Sequence, residues 1–165
     1  MDTRMARGSF FDASALLKVF TEEHGSDVLR KFFQDEPTKY TTPFCFYEAL
    51  NGLKSKWLYR NLLSHDQYRD AGFRLTTWYE TATRRIKDVE FENREIFVKV
   101  KEIVTRYAVD FSDAFQIISV KHGYYSPLAR ESQTILVTCD KRLSEVARDE
   151  GLRVWFAPDE PVPGN

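Results

Sequence analysis

TILVTCDKRL, residues 134–143, is the stretch whose reading decides the fold class. Thr134 to Cys139 is a continuous apolar run of strand length, which marks a strand covered on both faces. Asp140 follows at once. Beyond it a helical pattern sets Leu143, Val146 and Ala147 on one side, Gly151 stops the helix, and Arg153 to Phe156 reads as a last strand. The opening of the chain repeats this grammar in SFFDASALL, residues 9–17. Gly8 to Asp12 is a short buried strand ending in an aspartate, and a helix from Ala13 to about Glu23 turns Leu16, Leu17, Val19 and Phe20 inward.

Between these two blocks the alternation continues. Gly25 closes the first helix and Ser26 caps a second that runs through Phe33. Tyr40 to Thr42 is extended, and Pro43 opens a helix that passes Leu53 and Trp57. Ser64 to Arg85 is periodic enough to be helical, Ile86 to Phe91 alternates like a strand, and Glu95 to Tyr107 returns to helix. Ser112 to His122 is a compact helix ended by Gly123. Tyr124 and Tyr125, next to Pro127, read as a loop packed on the core, with stacking on a nucleic-acid base as the alternative. Strands alternating with helices imply right-handed crossovers and a parallel sheet with helices on both faces, an α/β fold. The chain reads as one domain, residues 1–165 with its core at 9–156, and without repeats or linkers.

Composition sets the outer bounds. With 42% apolar and 30% charged residues the chain has the make-up of a soluble globular protein able to fold without disulfides. No span long enough for a membrane is readable, and MDTRMARGS lacks the apolar centre of a secretory signal, so a cytoplasmic location is expected. Cys45 and Cys139 have no metal-type spacing and read as buried free thiols. A formal net charge of −1 argues against a polyphosphate binder only if the acids are evenly spread. If several are withdrawn into one metal site, the remainder is net positive. Lys54, Lys56 and Arg60, or Arg84, Arg85 and Lys87, could then meet phosphates, although such clusters also read as ordinary solvated faces.

The acids carry the chemistry. Parallel sheets bind ligands beyond the carboxyl ends of their strands, where Asp12 and Asp140 both lie. Each alone also reads as a helix N-cap, but capping does not require the same residue type after both strands. Asp113 shares a helical face with Ile117 and Val120 and so should approach the sheet. The competing account is that Asp110 caps this helix and Asp113 sits in its first turn. Glu48 projects away from the Phe46, Leu50, Leu53 and Trp57 stripe of its helix, beside Phe44, Tyr47 and Leu58, and could be half-buried or simply exposed.

F-D-A-S-A-L at Phe11 to Leu16, Y-E-A-L at Tyr47 to Leu50, D-F-S-D-A-F at Asp110 to Phe115 and T-C-D-K-R-L at Thr138 to Leu143 together resemble the PIN domain. This small nuclease fold includes the VapC-type toxins of type II toxin–antitoxin pairs. The resemblance implies a three-layer α/β/α sandwich around a parallel sheet of about four to five strands. It implies an acidic quartet of Asp12, Glu48, Asp113 and Asp140, supported by Ser14, Thr138 and Asp110. It also implies Mg²⁺ or Mn²⁺, RNA cleavage leaving a 5′-phosphate and a 3′-hydroxyl, homodimerisation and, for a toxin, a cognate antitoxin protein. Four converging carboxylates repel one another unless cations or protons intervene, and oxygen-only ligands select hard ions. The 55–106 stretch is longer and more aromatic than is usual for toxin members.

Other chemistries fit poorly. His24, His65 and His122 have no ligand spacing, and His122 reads as a cation at a helix C-terminus. No nucleophile elbow or phosphate-binding glycine loop is present. An acid-site phosphatase would need D-x-D where this chain has D-A-S. A non-catalytic PIN-like module binding RNA or protein is the remaining rival.

Overall fold

The computed structural model describes residues 7–82, 93–123, 126–130 and 133–164. Four parallel strands form one sheet: β1 (Gly8–Phe11), β2 (Lys39–Tyr40), β3 (Thr134–Thr138) and β4 (Arg153–Phe156), in the order β2-β1-β3-β4. Every residue of β1 and β3 is buried, as the unbroken apolar runs require. Register puts Phe11, Val137 and Trp155 on one face and Tyr40, Phe10, Leu136 and Val154 on the other. Helices α1 (Ala13–Phe20) and α2 (Ser26–Asp35) lie in the crossover from β1 to β2. On the Phe11 face, α2 packs its Phe33 ring 5.0 Å from Phe11 and its Phe32 ring 4.7 Å from Trp155.

The long return from β2 to β3 carries α3 (Pro43–Leu58), α4 (His65–Ala82), α5 (Arg94–Tyr107), α6 (Phe111–His122) and a short α7 (Ser126–Arg130). Last, α8 (Lys141–Asp149) buries Leu143, Val146 and Ala147 and touches β3 and β4. Right-handed crossovers leaving the sheet in opposite directions put α1 with α2 and α8 on opposite faces, which yields the three layers. Two close approaches fix the helices that matter below. A Cβ at Gly52 of α3 would stand 2.5 Å from Leu17 Cδ1, so the absence of a side chain lets α3 pack on α1. At the end of α6, a Cβ on Gly123 would collide with the carbonyl oxygen of Ser119.

Several sequence expectations need correction. Gly25, at φ 82°, does not close α1; Thr21 does, and Gly25 is the N-cap of α2. The Ser26 hydroxyl instead accepts from Glu23 N at 3.0 Å, bracing the turn before α2. On α3 the buried stripe is Cys45, Phe46, Ala49 and Leu53, with Leu50 and Trp57 only partly covered. In α6 every residue from Ala114 to Val120 is buried, so a single apolar stripe does not single out Asp113. Asp110 is the N-cap of α6, but its side chain accepts no capping hydrogen bond from the helix. Of the two thiols, Cys45 is buried and Cys139 only half-buried, both free. The expected strand Ile86 to Phe91, the cluster Arg84, Arg85 and Lys87, and Tyr124 with Tyr125 lie outside the described residues.

Candidate functional site

Asp12 directly follows β1 and is 2% exposed. Its Oδ1 accepts Ala15 N at 2.7 Å, which caps α1. The Ser14 hydroxyl lies 2.8 and 2.9 Å from its two oxygens, and Thr138 Oγ1, at the end of the adjacent β3, donates to Oδ2 at 2.5 Å. Ser14 also accepts Cys139 N at 2.9 Å, and Thr138 Oγ1 accepts Asp140 N at 2.9 Å. The two hydroxyls thus stitch the ends of β1 and β3 together around one carboxylate. Burial pushes the Asp12 carboxyl up to about 7, against the pull of the Thr138, Ala15 and Ser14 hydrogen bonds, and the charge of Asp140 adds to the rise.

Asp140 caps α8 by accepting Leu143 N on Oδ1 at 2.9 Å, so the N-cap reading is correct for both strand-terminal aspartates. Capping uses only part of a carboxylate's acceptor capacity, which spans about four lone-pair sites. Asp113, in the first turn of α6, is half-buried, and burial followed by the charges of Asp140, Glu48 and Asp110 raises its carboxyl to about 6. Glu48 is exposed on α3, and its Oε2 accepts Ser112 Oγ at 2.9 Å and Gln116 Nε2 at 3.4 Å, both from α6.

Three pairs of these acids lie close enough for their charges to act on one another: Asp12 with Asp140, and Asp113 with Asp140 and with Glu48. Among the described residues none of the four forms an ion pair, while ten pairs elsewhere engage other acids. No cation is paired with the cluster among the described residues, and its oxygen-only donors suit a hard divalent cation. Among the described residues, however, no three carboxylates, thiols or imidazoles close into a ready metal cage. The donor chemistry fits such an ion, whereas Asp12, Glu48 and Asp140 here accept from protein donors.

The basic trio divides. Lys56 pairs with Glu23 at 2.6 Å and is only 14% exposed. Burial opposes ionisation of Glu23, yet Lys56 and Thr21 together hold its carboxyl below the ordinary range. Lys54 and Arg60 are exposed and form no ion pair among the described residues. Neither thiol is poised for chemistry, since burial drives Cys45 far upward and lifts Cys139 to about 12. Sequence reasoning missed Ser112 and Gln116. Ser112 follows directly on D-F in the quoted block, but Gln116 stands within an apolar helix with no local sign of its partner.

The PIN domain family matches the chain over residues 9–149. Among solved structures, PAE2754 from Pyrobaculum aerophilum is similar, with a TM-score of 0.55 and 22% identity over 91% of this chain and 90% of that one. At that identity the likeness speaks for the fold alone. No curated protein matches the chain.

Proposed function

Since the chain belongs to the PIN domain family, a nuclease-type fold that is typically metal-dependent, we propose that it is a Mg²⁺- or Mn²⁺-dependent endoribonuclease acting through Asp12, Glu48, Asp113 and Asp140. The observation that carries this reading is that Asp12 feels the charge of Asp140, and Asp113 those of Asp140 and Glu48, with no ion pair to any of the four among the described residues. Asp12 and Asp113 would hold the principal ion, with Asp140 and Glu48 completing the site directly or through water. Divalent cations held there would supply Lewis acidity, a water of lowered pKa and charge to steady the leaving oxygen.

The chain's own residues set the stage. Ser14 and Thr138 fix the orientation of the Asp12 carboxylate before any ligand arrives. Asp140 is anchored at the head of α8 and Asp113 at the head of α6, so both are carried on rigid elements. Lys54 and Arg60 would meet backbone phosphates as the strand leaves the acid edge, and Lys56, tied to Glu23, would not. A cognate antitoxin that offers a cation to the acids, and a homodimeric assembly, belong to the same proposal.

Incubating total RNA with Mn²⁺ or Mg²⁺ and mapping the new ends tests it. The parent should produce 5′-phosphate and 3′-hydroxyl termini, and Asp12→Asn should lower the rate by on the order of 100-fold or more. Equal cutting by both proteins, or no metal-dependent cutting at all, would sink the reading.

A further inference from the structure

Gln116 is 2% exposed, in a helix buried from Ala114 to Val120, yet its side chain is polar at both ends. One end, Nε2, reaches Glu48 Oε2 at 3.4 Å. The other, Oε1, is enclosed and accepts no hydrogen bond from any described group. A buried carbonyl left without a donor costs folding free energy. Turning the amide round gives no relief, because Oε1 would then face a carboxylate oxygen, acceptor against acceptor. An apolar side chain of similar length would remove the unpaired group altogether. The hydrogen bond to Glu48 is therefore what the amide offers this position.

Glu48 needs such help. Its backbone sits on α3, whose buried stripe faces elsewhere, and an exposed glutamate left to itself samples many rotamers. Ser112 at 2.9 Å and Gln116, both on α6, converge on Oε2 alone and leave Oε1 for another partner. Asp113 lies on the same helix, one residue from Ser112, so these donors hold Glu48 to the element that carries its neighbour in the acid cluster. The Gln116 contact is long for a hydrogen bond; contacts of this kind tighten when a site is loaded.

We infer that Gln116, together with Ser112, is a positioning residue that holds Glu48 ready for a divalent cation, and that the chain sacrifices stability to keep it. The inference rests on Glu48 belonging to the metal site proposed above. It is tested with the parent, Gln116→Leu, Glu48→Ala and the double variant, with Gln116→Met as a second apolar replacement. The readouts are the melting temperature without divalent ions and the midpoint of a Mn²⁺ titration followed by thermal shift.

Gln116→Leu should melt a few degrees higher than the parent while its Mn²⁺ midpoint weakens roughly 10-fold. In the Glu48→Ala background the leucine should still raise the melting temperature but no longer move the Mn²⁺ midpoint. A lower melting temperature for both apolar variants with an unchanged midpoint would mean that Gln116 only fills space, and the inference falls. If the parent and Gln116→Leu take up Mn²⁺ equally well, the inference falls alone. A parent that takes up no Mn²⁺ removes the metal site itself and this inference with it.

Discussion

Asp12 serves as the cap of α1, through Ala15, and as the buried member of the acid cluster. Asparagine caps about as well as aspartate, whereas alanine forfeits the cap at roughly 1 kcal/mol. Asp12→Asn therefore separates charge from structure. The charge has a signature of its own in the metal-free protein. Asp12 at about 7 and Asp113 at about 6 keep protons in the folded chain that an unfolded aspartate, near 3.8, has released. Between those limits the folded state binds more protons, so stability is fully present at low pH and declines as pH rises toward 7. Glu23 and Glu150 slope the other way, because their folded carboxyls lie below the ordinary range. The clean comparison is the parent against Asp12→Asn: their difference in unfolding free energy should grow with pH to roughly 4 kcal/mol. A pH-independent difference in urea titrations would show that Asp12 is not held in a desolvated place beside Asp140.

At the scale of elements, local rules were legible wherever the chain obeyed its own period. β1, β3, β4, α5, α6 and α8 emerge from apolar runs and helical spacing within a residue or two at most boundaries. Gly25 misled because a left-handed glycine between two helices serves either neighbour, and only the backbone shows that it opens α2. The five-residue α7 buries no side chain, so no periodic signal marks it. Within the site, Asp12 and Asp140 were readable because strand ends announce themselves. The hold on Glu48 by Ser112 and Gln116 was not, since it joins α3 to α6 across 64 and 68 positions. Gly123, read simply as the stop of α6, has a sharper reason: a Cβ there would strike the Ser119 carbonyl. Gly123→Ala should cost about 1–3 kcal/mol by forcing the backbone apart. An unchanged denaturation midpoint would mean that the helix end relaxes freely.

Over the whole molecule, Glu150 ties the layer that follows β3 to the helices before it. It accepts Lys121 Nζ of α6 at 2.7 Å, Arg106 Nη1 at 2.8 Å and the Tyr107 hydroxyl of α5 at 2.9 Å. Burial opposes the charge of Glu150, but Lys121, Tyr107 and Arg106 more than compensate and keep it ionised. Global charge gives a further test of the RNA reading. With a net charge of −1, binding to RNA has to come from local cations, so its salt dependence counts them. Lys54→Ala and Arg60→Ala should each flatten the slope of log affinity against log salt by about 0.7. Lys56→Ala should leave that slope intact, because Lys56 is already paired with Glu23. Equal slopes for all three variants would move the phosphate track away from the end of α3.

The placement of β1 beside β3 also governs timing. A ribosome delivers Asp12 before Thr138 and Asp140, which emerge only after more than a hundred further residues have been added. Until then the first aspartate has no cradle and α8 has no head. If the acids act together as proposed, their cluster assembles only when the late strand slides in next to the early one.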